Sequence, residues 1–410
     1  MNLANQLIAH LNAKIAEMPN DPDKLLLKGK LGEIAMDLTL SCSANPLALY
    51  VAVRRCLEQE MKIVEQAPTA GGSSGEFVSL VRQAIAQQKQ QVTQTAVELE
   101  DVKNEVEFSV EFYNLGGEEN YLQRQQTLIN SYKDICLRVK EVQARVLDTI
   151  LVEWKTAQKL SGNGRTITSN LDTIQEMCEG LADIIWTTRQ QVKQLQDINS
   201  RMRVDDPHMA SAVISELFSE FTELLSNLVS STFVIEEQPP QVMKTNVRFT
   251  STVRLLVGGV LNVHKAAPQV TVSIVSEQQA LQLSSAVTRG SHNKDDYKSG
   301  DILNGGNGTM EFHQAYKRVS VTFRNLQLKK IKRVERKQQS MHQSVTDEKF
   351  AVLFWSEFQV ADLRFQVWSL SLPVVVIVHG NQEPAALATV TWDNAFAQSQ
   401  VPNISSMPNK

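Results

Sequence analysis

The sequence predicts a multidomain protein of the α plus β class: a long antiparallel four-helix coiled-coil bundle followed by an all-β domain of sandwich or barrel type. Two patterns carry this prediction. Apolar residues recur at heptad spacing between residues 76 and 235. After Gln238-Pro239-Pro240 they alternate along short segments, which is typical of strands.

Charge is divided unevenly along the 410 residues, which carry a net charge of −4. Residues 1–235 hold 22 Lys or Arg against 31 Asp or Glu, whereas residues 236–410 hold 19 against 14. An acidic front and a basic back suggest domains with different partners. The apolar content of 42% with 21% charged residues is that of a globular protein.

Cysteine usage and hydropathy limit the cellular setting. The four cysteines (Cys42, Cys56, Cys136 and Cys178) are far apart and form no CxxC pair, which favours reduced thiols in a cytosolic or nuclear protein. The first residues are too broken by polar positions for a signal peptide. No apolar run reaches the ~18–20 residues of a transmembrane helix, so we expect no membrane insertion.

The front of the chain predicts a partial small helical domain over residues 1–66. Turn signals at Pro19-Asn20-Asp21-Pro22 and Asn45-Pro46 separate its short helices. Residues 67–75 contain Ala70-Gly71-Gly72-Ser73-Ser74-Gly75 and are predicted to be a flexible linker.

Four helices are predicted over residues 76–235. The first carries Val78, Ile85, Val92, Leu99 and Val106 at seven-residue spacing; the second, from about Glu118 to Leu160, carries Leu128, Ile135 and Val142 with Tyr132, Val139 and Val146. The third starts near Ser169 or Asn170 and carries Ile174, Cys178, Leu181, Ile185, Val192 and Leu195; the fourth carries Val213, Leu217, Phe221, Leu224 and Leu228. Short breaks between them imply an antiparallel bundle whose apolar stripes form its core.

Residues 236–390 are predicted to form the β-domain. Segments such as Val253-Leu255-Val257, Val270-Val272-Ile274 and Val319-Val321-Phe323 alternate in the manner of half-buried strands. The run Leu372–Val378 is continuously apolar and predicts a strand buried on both faces. Residues 391–410 then begin another segment and end in a polar tail.

Catalytic motifs are not found. The sequence has no HExxH, GxSxG or Walker loop, and its glycine-rich stretches lack the strand–loop–helix setting and the Lys of phosphate cradles. The histidines do not stand at metal-ligand spacing with a cysteine. We therefore expect no enzymatic activity and no cofactor.

A basic run lies between two predicted strands. Six of the ten residues Leu328–Lys337 are Lys or Arg: Lys329, Lys330, Lys332, Arg333, Arg336 and Lys337. One interpretation is a solvated loop that keeps a sandwich soluble. The other is contact with a polyanion, as phosphate-binding residues or a nuclear-import signal.

Longer blocks resemble a known family. VIEEQPPQVMKTNVRFTSTVRLLVGG, LNVHKAAPQVTVSIVSEQQA and SLSLPVVVIVHGNQEPAALATVTWDNAF resemble the DNA-binding domain of the STAT family, the signal transducers and activators of transcription. SGNG with CEGLADIIWTTRQQVKQLQ resembles its coiled-coil domain, and DKLLLKGKLGEIAMDL resembles the second half of its N-terminal domain. PVVVIVHG is similar to the corresponding strand in the branch of the family that holds the prolactin-responsive mammalian members and the insect proteins.

The resemblance implies a fold and a function. The β-domain would be immunoglobulin-like, with loops that grip double-stranded DNA at TTC…GAA palindromes, and the bundle would be a protein-docking surface. The protein would be phosphorylated on a tyrosine at receptor and Janus kinase complexes, form a homodimer, meet nuclear import factors and move from cytoplasm to nucleus. The alternative is a non-catalytic protein-interaction module or shortened isoform that competes with the full-length factor.

The resemblance also implies DNA-binding residues. Lys244 matches the family's lysine that reaches into the groove, and Arg248 stands where a polar DNA contact is usual. Lys329 and Lys332 match phosphate contacts, and Arg333 and Arg336 extend that patch. Val345 lies on the loop that faces the duplex. His379 occupies a position where many members carry an asparagine for base-edge contact. Taken singly, Lys244 and Arg248 could instead be the solvent face of a strand, and His379 a strand-end histidine.

In the family, a phosphotyrosine-binding domain and a tyrosine tail come after the region that corresponds to the stretch ending at Phe396. These 410 residues contain no match to them. The chain is therefore expected to be a fragment or an isoform. Without the phosphotyrosine contacts, two copies have no strong means of staying together on one palindrome, and each copy contacts DNA only through its own loops. We therefore expect the 410-residue polypeptide to bind DNA weakly and with strong salt dependence.

Overall fold

A computed structural model describes residues 73–112, 117–165, 170–201, 207–286, 297–304, 308–333 and 348–396, with a few isolated positions before residue 37. The chain divides into two compact units, Met1–Ser74 and Gly75–Lys410. In the first unit, the positions that are described before residue 37 are all helical, and Ala35 is buried.

Long helices form the first half of the second unit. Helix α1 spans Ser73–Phe112, α2 spans Gly117–Ala144, α3 spans Leu151–Ser161, α4 spans Leu171–Arg201 and α5 spans Pro207–Ser231. At 1.5 Å per residue, the 40 residues of α1 extend about 60 Å. Asn170 begins α4 as expected, since its Oδ1 accepts a hydrogen bond of 2.9 Å from the backbone N–H of Asp172.

The predicted apolar seams are the core of this bundle. Ile85, Val92 and Leu99 of α1 are buried, and the seam residues named for the second and third helices are buried as well. In α5 the stripe turns slightly: Ile214 is fully buried while its neighbour Val213 is only partly buried. Val106 lies outside the part of the chain whose side chains are described.

A π-helical turn, Arg145–Ile150, joins α2 to α3 and was not predicted. The sequence analysis expected one uninterrupted helix here. The wider turn lets the helix accommodate one more residue while Val146, Leu147 and Ile150 stay buried. Because the apolar pattern is helical on both sides of the turn, periodicity alone gives no sign of it.

Two sheets follow the bundle. The strands are β1 Phe233–Glu237, β2 Val242–Lys244, β3 Arg248–Leu255, β4 Gln269–Ser276, β5 Gly300–Leu303, β6 Gly308–Thr309, β7 Glu311–His313, β8 Arg318–Ile331, β9 Lys349–Val360, β10 Leu363–Leu370 and β11 Val374–Ile377. The five-stranded sheet has the order β1-β3-β8-β5 with β7 also paired to β8, and the six-stranded sheet has the order β2-β11-β9-β4-β6 with β10 also paired to β9.

This architecture confirms the predicted fold class, a helical bundle followed by a β-sandwich. All four residues of β11 are buried, as the continuous apolar run indicated. Two further helices cover the sheets: α6, Glu277–Ala286, which was not predicted, and α7, Glu383–Phe396. Leu283 of α6 packs with Val275 and Trp355, and Ala386 and Val390 of α7 pack with Val375.

The bundle and the two sheets share one continuous apolar core. Leu228 and Val229 at the end of α5 and Phe233 and Val234 at the start of β1 belong to the same buried cluster. Among the described residues, no helix has both the length and the apolar character required to cross a membrane.

Candidate nucleic-acid interface

The parallel pair β2–β11 brings two predicted site residues together. Lys244, the last residue of β2, is paired with Ile377, the last residue of β11. Because parallel strands end on the same side, the chain that leaves β11 passes Lys244. A methyl group added to Gly380 would lie 3.5 Å from Lys244 Nζ. His379, which precedes Gly380, is exposed beside it.

Lys244 Nζ also lies 3.6 Å from the carboxylate of Glu383, the first residue of α7. The Lys244 side chain is 41% exposed and that of Glu383 is 52% exposed. Such an exposed ion pair contributes about 0–1 kcal/mol, so an incoming phosphate or base edge can replace Glu383 as the partner of Lys244.

Gln382 holds the segment after β11 in place. Its Oε1 accepts hydrogen bonds from the backbone N–H groups of Val378, at 2.9 Å, and His379, at 3.1 Å. Val378 is 60% exposed although it directly follows four buried residues. The sequence analysis missed Gln382. A Gln three residues after the start of a helical turn resembles the second half of a capping box, which is the signal that could have identified it.

The turn between β2 and β3 is fastened to β8. Asn246 adopts the left-handed conformation, with a φ of 65°, which Asn tolerates better than most residues. Its N–H donates to Leu328 O at 2.7 Å, and its carbonyl accepts a bond of 2.7 Å from Gln327 Nε2. Arg248, the first residue of β3, is paired with Gln327. Lys244 and Arg248 therefore flank a turn that contacts the residues just before Lys329.

Lys329 is the extra residue of a β-bulge. Leu328 is paired with Ile302 and Lys330 with Asp301, so Lys329 has no partner across the ladder. Bulges re-aim side chains, and the Lys329 side chain is exposed. This local geometry presents a lysine to solvent beside the β2–β3 turn.

Lys330 and Lys332 lie on the β5 side of the same strand end. A hydrogen bond from Lys298 is the main cause that lowers the pKa of the Asp301 carboxyl, and the charges of Lys330 and Lys332 lower it further. The backbone N–H of Lys332 donates to Ser299 O at 2.6 Å. One carboxylate is therefore surrounded by three lysines at the edge of the five-stranded sheet.

Arg333 is half-buried and bound to the protein itself. Its Nη1 lies 2.7 Å from Glu348 Oε2, and its Nη2 donates to Val376 O at 2.7 Å. These contacts tie the end of β8 to the start of β9 and to β11. The DNA-binding role expected for Arg333 stays a prediction, and the structure gives this residue an additional anchoring role.

The structure thus joins Lys244, Arg248, Lys329, Arg333 and His379 through the ends of β2, β8 and β11 and the start of β3. Among the described residues, Arg248 and Lys329 have no carboxylate within 4.0 Å, so their charges are available to an anion. Arg336, Lys337 and Val345 lie outside the described residues. This end of the sandwich therefore offers cationic side chains, His379 and the exposed Val378 on adjoining strand ends.

The chain is similar to known proteins over most of its length. Residues 237–377 match the family model described as the STAT protein DNA-binding domain, which covers Lys244, Arg248, Lys329, Lys332 and Arg333. Residues 56–225 match the STAT transcription factor coiled-coil domain, and residues 1–68 match the STAT protein interaction domain.

A curated relative from Drosophila melanogaster, named "Signal transducer and transcription activator", is 41% identical over 249 residues. The match covers 60% of this chain and 31% of the relative, so the chain matches about a third of that protein's length. With three domain models matched in order along the sequence, the chain belongs to the STAT family, the signal transducers and activators of transcription.

Proposed function

We propose that this chain acts in a sequence-specific, DNA-binding transcription factor of the Janus kinase–STAT type. In this proposal the strand ends around Lys244 and His379 contact TTC…GAA palindromes. Lys244 and His379 would approach the groove, while Arg248, Lys329, Lys332, Arg333 and Arg336 would neutralise phosphates and Val345 would face the duplex. The observation that carries the proposal is the β2–β11 pair, which places the Lys244 ammonium beside the segment that holds His379.

The electrostatics favour this assignment. Backbone phosphates supply most of the affinity of proteins for DNA, whereas side chains at base edges supply discrimination. Lys329 on its bulge and Arg248 on the first position of β3 provide free positive charge, and His379 provides a side chain able to read a base edge. The basic excess of residues 236–410 agrees with this role.

The rest of the cycle belongs to the same proposal. Phosphorylation at receptor and Janus kinase complexes would produce a homodimer that passes from cytoplasm to nucleus with import factors.

The bundle would dock partner proteins. Val97 and Leu137, on α1 and α2, are 61% and 62% exposed, and exposed apolar side chains of this kind are found at protein contacts.

The test is a titration of a labelled TTC…GAA duplex and a scrambled duplex, followed by fluorescence anisotropy. Lys244→Ala should weaken binding to the TTC…GAA duplex by about tenfold or more, since a good base contact is worth about 1–3 kcal/mol. The variant with Ala at Lys329, Lys330, Lys332 and Arg333 should weaken binding to both duplexes. Lys265→Ala is the matched control, because Lys265 is exposed just before β4, at the opposite end of the sandwich. Equal binding of all variants would favour the protein-interaction alternative.

A further inference from the structure

Five uncharged amide side chains meet where the bundle touches the sandwich. We name them the amide cluster: Gln158 on α3, Asn163 in the α3–α4 turn, Gln238 and Gln241 between β1 and β2, and Asn394 on α7. They are separate from the DNA-contact residues proposed above. Gln158 and Asn394 are buried, at 8% and 2% exposure.

Two members of the amide cluster hold together the connections that lead into β2 and β11. Gln238 Oε1 accepts a hydrogen bond of 2.9 Å from the N–H of Leu372, and Gln241 Nε2 donates to Pro373 O at 3.0 Å. The N–H of Val375 then donates to Gln241 O at 2.7 Å. Because Pro239 and Pro240 restrict the backbone between the two glutamines, these bonds fix where β2 begins relative to β11.

Asn394 forms a reciprocal pair with Gln241. Asn394 Nδ2 donates to Gln241 Oε1 at 2.7 Å, and Gln241 Nε2 donates to Asn394 Oδ1 at 3.1 Å. Buried amides are costly unless they are paired, so this two-bond arrangement strongly prefers a single geometry.

The bundle reaches the amide cluster through two residues, of which Gln158 contacts Gln238 and Asn163 contacts Asn394. Gln158 Nε2 donates to the carbonyls of Ile235 and Glu236, and its Oε1 accepts from Gln238 Nε2 at 2.9 Å. Asn163 Nδ2 donates to Thr391 O at 2.9 Å, and its Oδ1 lies 3.4 Å from Asn394 Nδ2.

Gly162 shows how closely the α3–α4 turn approaches the pair. A methyl group at Gly162 would lie 2.9 Å from Asn394 Nδ2 and 3.0 Å from Gln241 Oε1. The first distance is too short for a carbon atom and the second is very tight, so a side chain at this position would require the two amides to shift.

Because β2 is short, its position depends on the hydrogen bonds of the amide cluster. Strand β2 has only three residues, and three residue pairs join it to β11. Lys244 follows Gln241 by three positions, roughly 10 Å along an extended strand. A shift at Gln241 is therefore passed directly to Lys244, and a shift of β11 to His379.

We propose that the amide cluster is a positioning element for DNA recognition. It sets β2 against β11, so that Lys244 and His379 reach the same stretch of groove, and it connects this setting to the α3–α4 turn of the bundle. The inference rests on the proposed function, since it concerns how the proposed contact residues are held. Its residues are positioning residues and do not touch the DNA.

The test compares the affinity ratio between a TTC…GAA duplex and a scrambled duplex in Asn394→Leu and Gly162→Ala. Asn394→Leu removes the amide at similar volume, and Gly162→Ala displaces the pair while keeping every amide. Both should lower the ratio by about tenfold, the size of a lost base contact. Thr391→Ala is the control, because its exposed side chain changes while the carbonyl that Asn163 uses remains. Affinities are measured under conditions in which circular dichroism shows that each variant is folded. If Asn394→Leu does not fold, the result for Gly162→Ala decides whether the inference stands.

A double-mutant cycle separates positioning from general loosening. In the Lys244→Ala background, Asn394→Leu or Gly162→Ala should lose most of its effect on the ratio. A full effect in that background, or a wild-type ratio in either folded variant, would overturn the inference. If the wild-type chain does not distinguish the two duplexes, it is the proposed function that fails.

Discussion

The guanidinium of Arg189 on α4 and the carboxylate of Asp362 in the β9–β10 turn form two hydrogen bonds, of 3.1 and 2.7 Å. Arg189 is 1% exposed; its Nε donates to Thr222 Oγ1 and its guanidinium lies over the ring of Phe218. At the start of α4, Asp172 accepts from Arg254 and Arg318 of the five-stranded sheet. The two attachments are about 25 Å apart along α4, so these ion pairs join α4 to the sandwich at two separated points.

Replacing Arg189 with Met should loosen the attachment at the β9–β10 turn. Met keeps an apolar contact with Phe218 but removes the hydrogen bonds to Asp362 and Thr222, which leaves Lys193, at 3.9 Å, beside the Asp362 carboxylate. Because Asp362 remains accessible to water, we expect a loss of only about 1–2 kcal/mol in the free energy of unfolding. Chemical denaturation of the wild type, of Arg189→Met and of the exposed control Arg364→Met measures it. An unchanged midpoint would show that the bonds between Arg189 and Asp362 add nothing measurable to the stability.

Asp172→Asn should destabilise the chain in a pH-dependent way. Burial raises the pKa of Asp172, but the hydrogen bonds from Arg254 and Arg318 outweigh it and bring the pKa below the ordinary value of 3.8. The ionised carboxylate therefore stabilises the fold above about pH 4, and this contribution is lost as the pH falls through the lowered pKa. Thermal midpoints at pH 7 should differ by a few degrees, and the difference should shrink below about pH 3.8. A difference that does not change with pH would mean that the charge of Asp172 is unimportant.

Lys329→Ala and Arg333→Met should weaken DNA binding by different routes. Lys329 is exposed and has no carboxylate within 4.0 Å in the part of the chain that the structure describes, so its loss should reduce the slope of log affinity against log salt by about 0.9, the value for one phosphate. Arg333 is bound to Glu348 and Val376 O, so its replacement should lower thermal stability as well. Anisotropy titrations from 50 to 200 mM salt, with Lys265→Ala alongside, separate the two. An unchanged slope in Lys329→Ala would remove this lysine from the interface.

The two described cysteines should be unreactive in the folded protein. Burial raises the pKa of the Cys136 thiol to about 12, and burial followed by the nearby Glu179 raises that of Cys178 to about 12. Since the thiolate is the reactive form, iodoacetamide at pH 8 should leave both unlabelled, and labelling should become complete in denaturant. Mass spectrometry of peptides checks this, and rapid native labelling of Cys136 would indicate that the bundle opens at α2 and α5.

The heptad seams were predictable because helix periodicity is a local property. Val92 and Leu99, like Ile135 and Val139, repeat at the spacings of a coiled-coil seam, and all four are buried. The buried run of β11 was readable for the same reason. The resemblance to a family then identified the strand ends at which to look for DNA contacts.

Tertiary partners were not predictable. Nothing near Gln241 in the sequence indicates Asn394, 153 positions away, and nothing near Arg189 indicates Asp362, 173 positions away. The bulge at Lys329 depends on how β5 pairs with β8, and the anchoring of Arg333 depends on the approach of β11. Composition suggested a solvated or phosphate-binding run, whereas the structure separates the members that it describes: Lys329 is exposed, Lys330 and Lys332 lie near the Asp301 carboxylate, and Arg333 is anchored.

Photo-cross-linking tests the central proposal most directly. The thymidines of a TTC…GAA duplex are replaced with 5-iododeoxyuridine, the complex with the 410-residue polypeptide is irradiated, and the cross-linked peptides are sequenced. We predict cross-links in the peptides that contain residues 242–248 and 374–382, which are lost with a scrambled duplex. Cross-links confined to the helices of the bundle, or equally strong with the scrambled duplex, would contradict the account.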